Sequence, residues 1–572
     1  MRGILEKIMP AYGWLRVYRR SDLTRDFSAA LVITAMLVPQ GMAYALLAGL
    51  PPRYGLYAST VPAIVYALFG TSRHMPVGPP ALMALLTLTS VSALAEPGTA
   101  RYISLALLLA FMVGVFQVAI GFLRMGFVTN FISHPVLNGF IYASAVIIAL
   151  SQVEHVLGIP LAGELSTIEI VRELGQRIGE TNVLALAIAL SSLVAILLLS
   201  RVVPRLPAPL LVVAAATVVV YLLGLDSRSG GVDVVGSVPS GLPTPSLPTL
   251  ELGAIRALAP AALIVAFVGF IESISVAKAV AARENYKIDS NQELKALGYA
   301  NVAAAFFSGF PVAGSFSRTA VQYRSGGRTQ MASIITALMI VVVLLFLTPL
   351  FYYLPNAALA AVILVAVFGL VDVKEARRIY RIRRDDGLAL LVTLVVTLLV
   401  GVEQGILAGV VVALIFFIRR TAYPRVFELG YVEHEDSFLG QNSYPEGRTF
   451  PKTLILRFDA RLYFANIPYL EDYLISATAD RPDLELLVID FRGVNGIDVT
   501  AIEGLENLIS EYRARGVKVL FTHVKPQVRG RLERAGWAAE YPEVIRHQTT
   551  RDAFKSLGLL ADKDARDPER RL

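Results

Sequence analysis

The sequence predicts a polytopic α-helical membrane protein that ends in a small soluble α/β domain. Three observations predict it. The 572 residues are 55% hydrophobic and 17% charged, with a mean hydropathy of +0.60, whereas soluble chains carry about 25% charged residues. Charge density changes along the chain: the first 430 residues hold 54 Asp, Glu, Lys and Arg, and the last 142 hold 43. Apolar stretches compatible with membrane segments recur fourteen times before residue 420.

These stretches lie near 28–48, 57–70, 78–94, 102–123, 135–153, 182–200, 207–224, 258–281, 292–309, 313–323, 331–348, 355–371, 386–400 and 403–419. A spanning helix needs roughly 20 residues, so several are too short to cross alone. Shorter ones are tolerated where the backbone is buried in protein or lines a cavity. Residues 1–26 are basic, contain Pro10 and Trp14, and lack a removable signal. They are expected to be a cytoplasmic segment with a short interfacial helix. An even number of crossings puts both termini on one side. The six connections that would then face inward carry sixteen Lys/Arg, among them the cluster Lys374, Arg377, Arg378, Arg381, Arg383 and Arg384, against six in the seven outer ones. That bias agrees with cytoplasmic termini. The amino terminus adds Arg2 and Lys7, and the inner and outer sets include Arg205 and Arg228 respectively.

Fourteen helices divide into seven plus seven, and a unit with an odd number of crossings is inverted when repeated. The stretches at 78–94 and 313–323 are each third in their half, and each begins at a helix-breaking motif, Gly78-Pro79-Pro80 or Pro311-Val312-Ala313-Gly314. Paired interrupted segments at matching positions point to a transporter's midplane site. A helix starting at Ser315-Phe316-Ser317-Arg318 would aim unpaired N–H groups, two hydroxyls and a permanent cation inward, all of which favour an anion. The other reading is that Arg318 snorkels to the surface and the serines only pack helices. The segment from Gly78 to Ala81 would aim a second positive helix end at the same point.

Gln40 and Tyr44 are four residues apart in the first span and share a helix face, with Pro39 and Gly41 expected to loosen that helix. Both residues could line a polar cavity or hydrogen-bond to a neighbouring helix. Glu272 lies inside the eighth span. An intramembrane carboxylate is costly, so proton coupling is its functional reading, and pairing with Lys278 or serine hydroxyls is the structural one. No Gly-Lys dipeptide occurs, so there is no P-loop. The six histidines never fall at metal-ligand spacing, and without Cys there is no thiol chemistry. The basic balance belongs to the membrane part and is no footprint of nucleic acid.

The remainder divides into a linker over 421–450, a domain over 451–560 and a disordered charged tail over 561–572. Strands are expected at Thr453–Phe458, Leu484–Phe491 and Val517–Val524. Helices are expected at Ile467–Thr478, Thr500–Gly516 and Gln527–Ala535. Such alternation makes one α/β domain. Asp498 and Thr500 both suit a helix cap, the expected role of Thr500.

The run from Pro52-Arg53-Tyr54-Gly55-Leu56-Tyr57 through Ile64-Val65-Tyr66 to Gly70-Thr71-Ser72-Arg73 resembles the signature of the sulfate permease (SulP) family. Glu272–Lys278, Ile288–Leu294 and Ser315–Arg318 resemble that family too. The resemblance implies a seven-plus-seven inverted repeat of core and gate, filling residues 27–420, with a cytoplasmic STAS domain and usually a homodimer. It implies an anion between the starts of the third and tenth helices, here Gly78, Ala81, Gly314, Ser315, Ser317 and Arg318. Gln40 and Tyr44 flank that site, and Glu272 takes the place of a proton-coupling carboxylate. Thr500 takes the place of a phosphorylatable hydroxyl. The function expected is therefore sulfate uptake by proton symport in the inner or plasma membrane, with no cofactor and no enzymatic activity. Bicarbonate, chloride or C4-dicarboxylate transport, or a passive anion channel, is the alternative.

Overall fold

The computed structural model describes residues 9–126, 133–159, 167–203, 207–226 and 231–560. Arg2, Lys7, Arg205, Arg228 and the tail 561–572 lie outside them. The chain forms two compact units, Met1–Ala413 and Leu414–Leu572.

The first unit begins with α1 (Ala11–Arg16), α2 (Arg20–Leu47), α3 (Arg53–Tyr57) and α4 (Val61–Phe69). There follow β1 (Val77–Gly78), α5 (Ala81–Val91), α6 (Ala100–Phe122), α7 (His134–Leu157), α8 (Thr167–Arg177), α9 (Val183–Val202) and α10 (Ala208–Leu223). The second half holds α11 (Leu252–Arg283), α12 (Ser290–Phe306), β2 (Ala313–Gly314), α13 (Phe316–Arg324) and α14 (Met331–Val342). It ends with α15 (Asn356–Phe368), α16 (Val373–Ile382), α17 (Arg384–Leu399) and α18 (Val402–Ala422), the last running into the second unit.

Each of the fourteen apolar stretches falls on a helix, and eight helices among the described residues are long and apolar enough to cross a bilayer. The stretch at 57–70 is broken, because Thr60 has φ −103° and ψ −98° and restarts the chain as α4 at Val61-Pro62. The first span was expected to loosen at Pro39, yet α2 runs unbroken through it, with Pro39, Gln40 and Gly41 all buried. Close backbone packing accounts for this: a Cβ on Gly55 would fall on the Gly41 carbonyl. Likewise a Cβ on Gly114 of α6 would lie 2.7 Å from the Gly298 oxygen of α12, and the reverse holds at the same distance. Small residues at such crossings let membrane helices approach and gain dispersion contacts that lipid does not supply.

The second unit holds a five-stranded sheet in the order β4-β3-β5-β6-β7. Its strands are β3 (Val426–Val432), β4 (Ser437–Gly440), β5 (Thr453–Phe458), β6 (Leu486–Asp490) and β7 (Lys518–Thr522). The last three are parallel, linked by α19 (Ile467–Ala479) and α20 (Val499–Ala514), and followed by α21 (Pro526–Arg534), α22 (Trp537–Glu540) and α23 (Thr550–Ser556). Alternation along β5 sends Leu454, Leu456 and Phe458 to the core shared with α19 to α21, and Ile455 to a second core closed by Phe438 and by Phe554 of α23. Residues 421–450, expected to be a linker, contain β3 and β4. β3 pairs antiparallel with β5 through Val426↔Phe458 to Glu428↔Leu456, so this segment belongs to the sheet.

Candidate anion site

The site is built on the two interrupted segments. Pro79 and Pro80 have no N–H, and Pro80 is extended at φ −95° and ψ 162°, so the helix cannot begin before Ala81. Ser315 is extended at φ −132° and ψ 133°, and α13 begins at Phe316. Between them Val77 pairs with Gly314 and Gly78 with Ala313 in a two-residue antiparallel ribbon. α5 leaves one end of the ribbon and α13 the other, so both positive helix ends back onto it.

Intrahelical bonding starts with Ala84 N–H to the Pro80 carbonyl and Thr319 N–H to the Ser315 carbonyl. The N–H groups of Ala81, Leu82 and Met83, and those of Phe316, Ser317 and Arg318, therefore precede the first helical bond and find no acceptor among the described residues. Ser315 is buried and its Oγ lies 3.1 Å from that of Ser317, which is exposed.

Arg318 is 1% exposed, which excludes the snorkelling alternative. Its Nη1 donates to the Pro79 carbonyl at 2.8 Å, and its Nη2 to those of Gly78 at 3.2 Å and Ala313 at 3.4 Å, while Nε has no partner among the described residues. No carboxylate forms an ion pair with it among the described residues. Three neutral carbonyls hold the guanidinium without cancelling its charge, and a buried ion without a direct ionic partner costs several kcal/mol. An anion would complete it.

Gln40 and Tyr44 are buried on α2, which packs against both α5 and α13. Gln40 Oε1 has no partner among the described residues. Tyr44, Glu272 and Arg318 lie within electrostatic reach of one another. α11 passes beside the ribbon, since a Cβ on Gly269 would lie 3.1 Å from Met83 Sδ and 3.5 Å from the Ala313 Cβ. One residue after Glu272, Ser273 Oγ accepts the Gly314 N–H at 2.8 Å and donates to the Gly269 carbonyl at 2.6 Å. Glu272 Oε2 is buried without a hydrogen bond among the described residues, and its alternative partner Lys278 is exposed. The structure thus gathers Gly78, Ala81, Gly314, Ser315, Ser317 and Arg318 on the ribbon and its two helix starts, with Tyr44 and Glu272 within electrostatic reach of Arg318 and Gln40 one turn before Tyr44 on α2.

Thr500 stands apart, in the second unit. Its expected capping role belongs to Asp498, whose Oδ1 accepts the Ala501 N–H at 2.9 Å. Thr500, the second residue of α20, is exposed and makes no side-chain hydrogen bond among the described residues. The difference follows from register: only the residue just before the helix can turn its side chain back to the third N–H.

Three buried polar groups that hold the site in shape were missed. Asn301 of α12 accepts the Val312 N–H at 2.8 Å and donates to the Val312 carbonyl and to Gln117 Oε1, both at 3.0 Å. Gln117 Nε2 in turn reaches the Ala266 carbonyl of α11 at 3.1 Å. Glu293 accepts Tyr66 Oη at 2.6 Å, the Thr71 N–H and Oγ1 at 2.5 Å each, and the Ser72 N–H at 2.9 Å, fixing the loop that leads into β1. Asp26 accepts the Arg328 N–H at 2.6 Å, the Thr329 N–H at 3.2 Å and Thr329 Oγ1 at 2.6 Å, fixing the loop that leaves α13. For Gln117, Glu293 and Asn301 a polar or acidic residue inside an apolar stretch was the available signal, whereas Asp26 precedes the first stretch and gave none.

A many-spanned helical carrier with two interrupted helices around a buried cation, joined to a STAS-type α/β domain, is the class that this fold and site define. The sulfate permease family matches residues 23–393, and the STAS domain matches residues 444–551. The chain belongs to the sulfate permease family and is an anion transporter, not an enzyme. It is 36% identical over 551 residues to probable sulfate transporter 4.2 of Arabidopsis thaliana, covering 93% of this chain and 81% of the relative. It is 35% identical over 537 residues to a probable sulfate transporter of Mycobacterium tuberculosis, covering 92% and 95%. The structure of murine solute carrier 26 family member A9 in the inward-facing state superimposes with a TM-score of 0.90 at 25% identity, covering 98% of this chain and 95% of that one.

Proposed function

We propose that this transporter takes up sulfate together with protons, holding the anion between the amino-terminal ends of α5 and α13. The observation that carries the reading is the ribbon, which sets at its two ends six N–H groups without an acceptor among the described residues, beside the guanidinium of Arg318, which makes no ion pair among them. Gln40, Tyr44, Ser315 and Ser317 supply further polar groups. Sulfate is favoured by the names of the relatives in Arabidopsis thaliana and Mycobacterium tuberculosis. Counterflow in proteoliposomes with labelled sulfate, bicarbonate, chloride and C4-dicarboxylates tests it. Sulfate should exchange fastest, and a different leading anion would overturn the substrate assignment.

Glu272 is the proposed proton carrier. An anion near Arg318 sets negative charge beside the carboxylate, and neutralising the carboxylate removes that repulsion. Proton and anion then favour each other's binding to the same degree, which is what symport requires. Glu272→Gln mimics the protonated carboxyl and should keep anion exchange while losing acceleration by an inward proton gradient. Gradient-driven uptake equal to that of the parent would make Glu272 structural.

The same reading places the chain in the plasma or inner membrane as a homodimer with both termini cytoplasmic. The excess of Lys/Arg in the inner connections supports that sidedness. It gives the exposed Thr500 hydroxyl a regulatory role.

A further inference from the structure

The cationic cluster after the twelfth apolar stretch takes no part in the anion site. Four of its six residues, Lys374, Arg377, Arg378 and Arg381, lie on α16, a ten-residue helix that folds back on α17, where a Cβ on Gly387 would come within 3.0 Å of the Tyr380 Cα. Its other end is tied to α7 by the Tyr142 hydroxyl, which donates to the Asp372 carbonyl at 2.9 Å. At 3.6 residues per turn, Lys374, Arg377, Arg378 and Arg381 fall in one sector about 100° wide. Val373, Ala376, Ile379 and Tyr380 fall in the opposing one.

Among the described residues the apolar sector is covered only in part: Ala376 and Ile379 are half-buried, while Val373 and Tyr380 are 54% and 58% exposed. The basic sector contains no carboxylate. Asp372 caps the helix by accepting the Lys374 and Glu375 N–H groups, Glu375 pairs with Arg378 at 3.3 Å, and Asp385 and Asp386 sit in the first turn of α17. Among the described residues Lys374, Arg377, Arg381, Arg383 and Arg384 make no ion pair.

We propose that α16 is a docking surface for anionic phospholipid, its apolar sector in the acyl boundary and its basic sector on the headgroups. A helix tethered to the ends of membrane helices, with exposed apolar side chains at Val373 and Tyr380 on one side and cations on the other, has the shape and charge of an interfacial anchor. Phosphatidylglycerol or another anionic lipid is favoured over a zwitterionic one, because each Lys or Arg near such a surface adds about fivefold to binding at low salt.

The chain has no cysteine, so Val373→Cys introduces a single site for a fluorophore. The full-length labelled protein is reconstituted in mixed phosphatidylcholine and phosphatidylglycerol bilayers, with one or the other lipid brominated. Brominated phosphatidylglycerol should quench the label at least about fivefold more per molecule, the preference expected if even one such residue acts. That preference should vanish when Lys374, Arg377, Arg378 and Arg381 are all changed to Gln. A label at Leu198→Cys, exposed on α9, should show no preference in either background. Equal quenching by the two lipids at Val373, or a preference that survives the four substitutions, would overturn the proposal. Quenching by neither would mean that protein covers this face, and would overturn it as well.

Discussion

Arg318 does two jobs that a single substitution confounds. Its Nη groups staple the carbonyls of Gly78, Pro79 and Ala313, and its charge faces the free N–H groups. Arg318→Ala removes both, whereas Arg318→Lys keeps the charge but cannot reproduce a planar fork on carbonyls of both segments. Each hydrogen bond from a charged donor contributes about 1.5–3 kcal/mol. Both variants should therefore lose thermal stability, yet only Ala should lose nearly all sulfate binding, measured by calorimetry in detergent. Binding by the Ala variant equal to that of Lys would mean that the charge is not part of the site. The cation was legible in the sequence because it stands alone beside a helix break. Its stapling role was not, since Gly78 and Pro79 lie some 240 positions away.

Among elements, the two short helices depend on loops clamped by carboxylates from other segments. Asp26 of α2 receives two backbone N–H groups and a hydroxyl from the loop after α13. It is wholly buried, so Asp26→Ala strands those donors at about 1–3 kcal/mol each. We expect Asp26→Ala to lower the melting temperature and slow sulfate counterflow, with Asp26→Asn clearly milder because its amide oxygen still accepts. Equal loss in the two variants would show that the negative charge, rather than the acceptor, holds the loop. The interrupted segments themselves were legible, because Gly78-Pro79-Pro80 and Pro311 to Gly314 forbid regular helix. The antiparallel pairing of β1 with β2 was not, as a two-residue ribbon leaves no periodic pattern.

In the whole molecule, the boundary between membrane and soluble parts decides which truncation is informative. Charge density located the soluble domain, and Thr453–Phe458 was legible as a buried strand. Val426–Val432 was not, because Glu428 and Gly430 interrupt its apolar pattern and its pairing depends on β5 and β4. Removing residues 440–572 therefore cuts through the sheet. It leaves β3 and most of β4 attached to α18 with one side of β3 stripped of β5, and an unpaired strand edge invites pairing between chains. Ending the chain at Tyr423, just past α18, removes the sheet as a unit. The shorter protein should elute as a single species on size exclusion while the longer one aggregates, although the longer one keeps more of the sequence. The proposed anion ligands all precede residue 320, so the chain ending at Tyr423 should keep the parent's order of substrate preference in counterflow while its rate falls. A changed order would place part of the selectivity in the soluble domain.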